Sequence, residues 1–314
     1  MNCCRMYSVS GPRAQRGFLL VTAVVLIVIA ALVLSTMVFL GVADDESSVK
    51  HMQSGQALFI ADSGLEYEQR QLAQNNDWYR STTDPIVTPP QAFTQGTFAA
   101  QIVLPATELR TQVTTGATSA RVYTTSRFPC PTCAETCSPC YLQIEDDLTG
   151  GAEFVQYTGI SGDRFTGLSR GRSINGVPPA GSASPHARGD RVYPVTTLLD
   201  ALSASVTCVA PAQLRLVYHP KFLYAGTISL NNGQSDPNDL GEEISYTSSR
   251  RSGNEMILAG LQRLNGADCP GWASGTPVTP VRLVGVSASY YESEIAVTGA
   301  LNSTNRTVRK TVQR

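Results

Sequence analysis

The distribution of apolar and polar residues divides the chain into an uncharged run, a stretch with helical periodicity and a long region of short, partly alternating runs. No charged residue lies between Phe18 and Ala43. As an α-helix this run would span about 39 Å, more than the roughly 30 Å hydrocarbon core of a bilayer. Because a helix satisfies its backbone polar groups internally, as lipid requires, we predict a transmembrane helix over 18–43.

The charges on either side of this run predict its orientation. Basic residues precede it and acidic residues follow it: Arg5, Arg13 and Arg16, then Asp44, Asp45 and Glu46. The positive-inside rule places the short N-terminus in the cytoplasm and the remainder outside. Secretory signals have shorter apolar regions and a small-residue cleavage site behind them, and no good site of that kind follows Val42. The simplest interpretation is a single-pass anchor.

The helical pattern continues beyond the acidic residues. Apolar residues keep an approximate helical spacing at Val49, Met52, Leu58, Ile60, Ala61, Leu65 and Leu72. Asn75-Asn76-Asp77 is a suitable end, and the internal glycines weaken the helix without a proline to break it. We predict one continuous helix over about 18–76, with 18–43 in the membrane and 44–76 amphipathic.

The region 77–314 is typical of antiparallel β structure. Its first stretch, 78–95, is rich in Pro, Thr and Gln and is predicted to be a loop. "EFVQYTGISGDRFTGLSRG" predicts a hairpin around a Ser-Gly-Asp turn, and "TTLLDALSASV" predicts a short helix capped by Thr196 or Thr197. Further strands are predicted in "TFAAQIVLP", "SARVYTTS", "DRVYPV", "QLRLVYHP", "KFLYAGTISL", "PVRLVGVSASYYESEIAVTG" and "NRTVRKTVQR". The predicted fold class is α+β, a long N-terminal helix followed by antiparallel β structure.

Composition argues against several functional classes. The chain has 314 residues and a net charge of −1 with no basic patch in the sequence, so nucleic acid is not an expected partner. His51, His186 and His219 are too scattered for a histidine metal centre. No GxSxG, HExxH or Gly-rich phosphate loop is present, so we predict a non-enzyme without a cofactor.

The cysteines are the strongest local signal for chemistry. Six of the eight follow residue 17: Cys130, Cys133, Cys137, Cys140, Cys208 and Cys269. "CPTCAETCSPC" could hold zinc, an iron–sulfur cluster or a redox pair, but its two CxxC pairs are too close for a zinc ribbon. All six lie on the predicted outside, where an even number favours disulfides. We predict a disulfide-stapled loop, in a Cys-containing insertion near 127–210, and no metal.

Two loops invite a binding interpretation. "NNGQSDPNDLGEE", 231–243, carries many oxygen ligands, but it lacks the Gly and Glu positions of an EF-hand, so a plain loop is favoured. Arg188-Gly189-Asp190 spells an adhesion tripeptide. Three residues occur too often by chance to carry that function, and a solvated loop with a turn role is the preferred interpretation.

The N-terminal 60 or so residues resemble a known family. "QRGFLLVTAVVLIVIAALVL" resembles the class III signal of type IV pilins, and "ALFIADSGLEYEQRQL" resembles the helix continuation of PilX- and MshP-like minor pilins. The resemblance covers about Arg13 to Leu72, and it implies that the second half of the helix packs on the antiparallel β-rich C-terminal domain. It implies a leader over 1–17, cleavage by a prepilin peptidase between Gly17 and Phe18, and methylation of Phe18.

The resemblance also implies a function. It is that of a minor pilin or pseudopilin, which sits in the bacterial inner membrane and then joins a cell-surface filament through helix contacts with other pilin subunits. Its exported domain would offer surface contacts, including adhesive ones. Most pilins carry Glu at the fifth mature position, where it pairs with the amine of the subunit above; here it is Thr22, which implies an initiating or tip position. The alternative is a permanently anchored periplasmic protein with a Cys-cluster metal or redox site.

Overall fold

One long helix precedes an array of antiparallel strands. The computed structural model describes residues 15–74, 80–93, 95–129, 140–145, 152–172, 174, 183–205, 207–230, 242–264, 269–280 and 292–313. Helix α1, Gln15–Gln74, runs without interruption for 60 residues, which confirms the predicted continuous helix. The chain divides into two compact units, 1–56 and 57–314.

The strands all follow the helix and confirm the predicted α+β class. In chain order they are β1 Ile86–Phe93, β2 Gly96–Val103, β3 Thr107–Glu108, β4 Ser119–Arg121, β5 Cys140–Glu145, β6 Ala152–Tyr157, β7 Gly159–Ser161, β8 Arg164–Thr166, β9 Arg191–Thr197, β10 Gln213–Val217, β11 Gly226–Leu230, β12 Glu242–Tyr246, β13 Ser248–Ser252, β14 Glu255–Ala259, β15 Gln262–Arg263, β16 Pro277–Pro280, β17 Glu292–Leu301 and β18 Thr304–Gln313.

Among the described residues the strands form four sheets, and every strand pair is antiparallel. One sheet has the order β1-β2-β17-β18. The largest has the order β15-β12-β11-β16-β9-β5-β6, with β3 also paired to β9. Two three-stranded sheets have the orders β10-β14-β13 and β4-β8-β7. The hairpin of β7 and β8 turns at Gly162, as the sequence predicts.

The last turns of α1 pack on the β1-β2-β17-β18 sheet. Helix residues Ala57, Ile60, Leu65 and Leu72 share one core with alternate residues of β2 and β17: Phe98, Ala100 and Ile102, and Ile295, Val297 and Leu301. Because side chains alternate across a strand, β2 and β17 each present one apolar face. The two strands are in register, with Ile102 opposite Ile295 and Ala100 opposite Val297, so their apolar faces form one surface.

Two glycines allow the helix to approach this surface closely. A Cβ at Gly64 would lie 2.7 Å from the Phe98 ring and 2.8 Å from a Val297 methyl. A Cβ at Gly299, which faces the helix from β17, would lie 2.6 Å from the Ala61 backbone nitrogen. Real Cβ contacts are longer, so a larger residue at either position forces the helix and sheet apart.

Two details of the sequence analysis are wrong. The predicted loop over 78–95 contains strand β1; its Pro89 and Pro90 lie where the register shifts, on an edge strand that can lose N–H groups. The predicted short helix "TTLLDALSASV" is not helical. Thr196 and Thr197 belong to β9, and Leu198 and Leu202 form isolated β-bridges. Both leucines are buried in a hydrophobic core with residues of neighbouring strands. Among the apolar residues that keep helical spacing in this part of α1, Val49, Met52 and Leu58 are exposed, and the buried ones are joined by Ala57.

Candidate functional site

The first candidate site is the apolar part of α1. Every side chain from Leu20 to Leu40 is exposed, including Phe39 at 77%. The helix is long and apolar enough to span a membrane. A helix that is apolar on all sides needs an apolar environment on all sides, because an exposed apolar patch of this size is unfavourable in water. Lipid or the helices of other chains can supply that environment.

The hydroxyl groups on this segment bond to the helix itself. Ser35 Oγ donates to Leu32 O and Thr36 Oγ1 donates to Val33 O, each at 2.8 Å. Such bonds allow Ser and Thr to sit in lipid, because the hydroxyl hydrogen keeps an acceptor. Thr22 is exposed on the same segment, and the predicted processing residues Gly17 and Phe18 lie in the first turns of α1.

The described cysteines are oxidised. Cys208 and Cys269 form a disulfide with a Cα–Cα distance of 5.2 Å, and Cys140 is also disulfide-bonded. Cys130, Cys133 and Cys137 lie outside the described residues, as do Cys3 and Cys4. A disulfide sulfur is not a thiolate, so Cys140 is not a metal ligand in this structure. Within the described ranges no group of His, Cys, Asp and Glu is arranged to hold a metal ion.

The turn predicted at Arg188-Gly189-Asp190 is confirmed, but the prediction of a solvated loop is wrong for Asp190. Asp190 is buried, and its Oδ2 accepts a hydrogen bond from the Ala187 backbone N–H at 3.0 Å. The same oxygen lies 3.1 Å from Nδ1 of the buried His186. The carboxylate therefore holds the turn from inside, and the tripeptide does not present its acid to a partner.

The other side of His186 contacts a buried carboxylate. His186 Nε2 lies 3.1 Å from Glu153 Oε2, and Glu153 also pairs with the buried Arg170 and accepts a bond from the Gly171 N–H. Burial alone would raise the pKa of Glu153, but the hydrogen bonds from His186, Arg170 and Gly171 outweigh it and lower the pKa to about 2. These partners are consistent with a structural network that joins β6 to two loops.

The predicted plain loop at 231–243 falls mainly outside the described residues, which resume at Glu242. Glu242 is fully buried, pairs with the Arg263 guanidinium and accepts a hydrogen bond from Trp272 Nε1 at 2.6 Å. These partners occupy its carboxylate, so Glu242 is not a calcium ligand in this structure.

A cleft of about 220 Å³ lies in the β-rich region and was not anticipated from the sequence. Its lining includes four arginines, one histidine and one carboxylate: Arg127, Arg250, Arg251, Arg309, His219 and Glu294. The carboxylate is already occupied, since Glu294 accepts bonds from Arg309 Nη1 at 2.6 Å and from the Tyr224 N–H at 2.5 Å. The cleft therefore has an excess of positive charge.

The arginines differ in how they are held. Arg251 lies over the Tyr218 ring at 4.2 Å and donates from Nε to Gly253 O at 2.9 Å. Arg127 has a left-handed backbone with φ of 64° and donates from Nη2 to Pro220 O. Arg250 is exposed, and its side chain has no hydrogen bond or ion pair within the described part of the chain.

A buried ion pair lies next to the cleft. Lys221 Nζ is 2.6 Å from Asp84 Oδ2, both side chains are fully buried, and Lys221 also donates to Leu104 O at 3.2 Å. Burial lowers the pKa of Lys221 to about 8, although Asp84 acts in the opposite direction. Arg127 Nη1 lies 3.8 Å from Asp84 Oδ1, too far for a hydrogen bond.

His219 contributes a buried donor. Its Nδ1 accepts the Lys221 backbone N–H at 3.1 Å, and burial, followed by the charges of Lys221 and Arg127, lowers its pKa to about 3. The neutral ring must then carry its hydrogen on Nε2. Nε2 and Arg127 Nη1 are both buried and have no hydrogen-bond partner in the described structure.

Sequence reasoning missed this cleft because its residues come from distant positions. Arg127 lies in a turn, His219 in a loop, and Arg250 and Glu294 in two different strands. No short sequence motif connects these positions. The adjacent Arg250-Arg251 pair in β13 is the one local signal that could have indicated it. In the comparisons with known proteins, no family model, no curated protein and no solved structure matches the chain.

Proposed function

We propose that the protein is a minor pilin-like structural subunit of a type IV pilus or related filament. The observation that supports this most strongly is helix α1, Gln15–Gln74, in which one uninterrupted helix combines an exposed apolar stretch with a stretch packed on an antiparallel sheet. The pilin-like motif QRGF stands at the start of this helix.

The apolar stretch suits a subunit that exchanges lipid for protein. In the membrane its exposed Leu, Val and Ile side chains contact lipid; in a filament the same side chains contact the helices of neighbouring subunits. Van der Waals packing between helices can drive such association where lipid offers no hydrophobic gain. The partners are then the prepilin peptidase during maturation and other pilin subunits after it.

Thr22 favours an initiating or tip position. Among pilins, an acid at this mature position pairs with the N-terminal amine of the subunit above. An unpaired charge in an apolar bundle costs several kcal/mol, so a subunit without the acid is a poor interior neighbour. A subunit at the tip has nothing above it and needs no acid. The hydroxyl of Thr22 carries no such charge penalty.

The alternative is a permanently anchored periplasmic protein with a Cys-cluster metal or redox site, and its metal form has less support. Cys140, the last cysteine of the cluster, is disulfide-bonded and is not a thiolate. The two functions differ in what happens at residue 17, because a permanent anchor keeps its N-terminus and a pilin loses it.

Processing tests the proposal. The intact mass and N-terminal peptide should correspond to a chain that begins at Phe18 and carries one N-methyl group, when the protein is purified from its own host. Gly17→Val should block cleavage and leave residues 1–17 in place. Gly55→Ala is a matched control in the same helix, because a Cβ there meets no atom within 4 Å. Retention of residues 1–17 in the unmodified protein would contradict the proposal.

A further inference from the structure

The cleft lined by Arg127, His219, Arg250, Arg251, Glu294 and Arg309, here called the arginine cleft, has a charge excess that the fold does not neutralise. Of its four guanidinium groups, that of Arg309 pairs with the Glu294 carboxylate, and that of Arg127 lies 3.8 Å from the Asp84 carboxylate, which already pairs with Lys221. Arg250 has no side-chain ion pair within the described ranges, and Arg251 is held by a carbonyl and a ring rather than by an acid. Like charges gathered in one concave site raise the potential there and attract an anion.

A second, independent feature is the pair of donors in the lining. His219 Nε2–H and Arg127 Nη1–H are buried without a hydrogen-bond acceptor in the described structure. A buried donor that lacks an acceptor is destabilising, so such groups call for an explanation in a native fold. An oxygen-rich ligand in the cleft would supply the acceptor that both donors lack.

We propose that the arginine cleft binds the oxyanion group of a small ligand, a phosphate or a carboxylate. Exposed Arg250 and Arg251 meet the anion first. Arg127 and His219 donate to it once the lining side chains shift, because both donor atoms lie below the present solvent surface. A volume of about 220 Å³ admits one acidic group on a sugar-sized body. This activity is separate from filament assembly and does not depend on it.

The test uses the full chain in a non-ionic detergent, titrated by calorimetry with inorganic phosphate, with glucuronate and with uncharged glucose. At least one of the two acids should bind saturably at one site per chain, and glucose should not bind. The acid that binds more tightly distinguishes a phosphate site from a carboxylate site. Absence of saturable binding by both acids would overturn the proposal.

A pair of double variants separates the cleft from general charge attraction. Arg250→Gln with Arg251→Gln should weaken binding about tenfold or more, as expected for the loss of charge-assisted hydrogen bonds. Arg172→Gln with Arg188→Gln removes the same charge from exposed positions outside the cleft lining. The two pairs also have matching hydrogen bonds. Arg172, like Arg251, makes one side-chain hydrogen bond, and Arg188, like Arg250, makes none with described residues.

The control pair should change the dissociation constant less than twofold. Equal weakening in both double variants would mean that only the overall charge matters and would overturn the proposal, as would unchanged binding in the cleft variant. His219→Phe provides a third readout: it removes the buried donor while keeping a ring, and binding should weaken with the circular dichroism of the domain unchanged. Retained affinity in this variant would overturn the proposal that the buried donors bind the anion.

Discussion

Two stretches of one helix, Leu20–Leu40 and Ala57–Leu72, differ in whether their apolar side chains are exposed or buried. In the first, every side chain is exposed. In the second, Ala57, Ile60, Leu65 and Leu72 repeat at helical spacing and are buried against β2 and β17. A helix with one apolar stripe can be completed by its own chain, whereas a helix apolar all round must be completed by lipid or other chains. The comparison therefore separates a stretch of α1 that its own chain completes from a stretch that needs an apolar environment from outside the chain.

The largest expected effect on the free energy of unfolding comes from a Leu→Ala substitution, made once in each stretch. Leu65 is 8% exposed and Leu32 is 62% exposed. Leu65→Ala should lower the free energy of unfolding of the β-rich region by about 2–5 kcal/mol, because it removes buried surface and leaves a cavity. Leu32→Ala should leave it unchanged. Urea unfolding in a non-ionic detergent, followed by circular dichroism, measures both; equal losses would contradict the division.

A smaller effect is expected from added volume. Gly64→Ala places a methyl group against Phe98 and Val297, and should destabilise by about 1–3 kcal/mol through overpacking. Gly55→Ala, nine positions earlier in the chain, meets open space and should stabilise the helix by about 0.5–1 kcal/mol. The same unfolding measurement applies, and a stabilising Gly64→Ala would show that the helix does not rest on the sheet this closely.

The sequence predicted the features that depend on local patterns, and it did not predict the contacts between residues that are far apart in the chain. The bounds of α1 and most strands follow from local periodicity, and the helix-to-sheet packing follows from the pilin resemblance. Strand β1 was missed because its prolines argue against a strand unless its edge position is known. The Lys221–Asp84 pair joins residues 137 positions apart, and no local pattern in either segment indicates the other.

The smallest effect concerns pH. Burial raises the pKa of Glu68, and its bond to Thr88 offsets this in part. Below about pH 4 the carboxyl is protonated in folded and unfolded chains, so it has no effect on stability. As the pH rises, the unfolded chain loses its proton first and stability falls. Glu68→Gln should therefore stabilise the protein at neutral pH and not at low pH.

Glu46 provides the matched control from the other part of α1. It is exposed, and a hydrogen bond from Lys50, together with the charge of Lys50, lowers its pKa. Glu46→Gln should give no gain at neutral pH, because no burial penalty is removed. Unfolding of both variants between pH 4 and 8 measures the difference. A gain from Glu68→Gln that is the same at every pH would indicate a packing effect instead of ionisation.

The most direct test of the filament proposal is the location of the protein on sheared filaments. An antibody against the β-rich region, coupled to gold, should label filaments from the host at one end, at few copies each, and the labelled protein should have the mass of the chain from Phe18. Label distributed evenly along the shaft would contradict the tip position implied by Thr22. Label confined to the cell membrane, with none on filaments, would contradict the filament function itself.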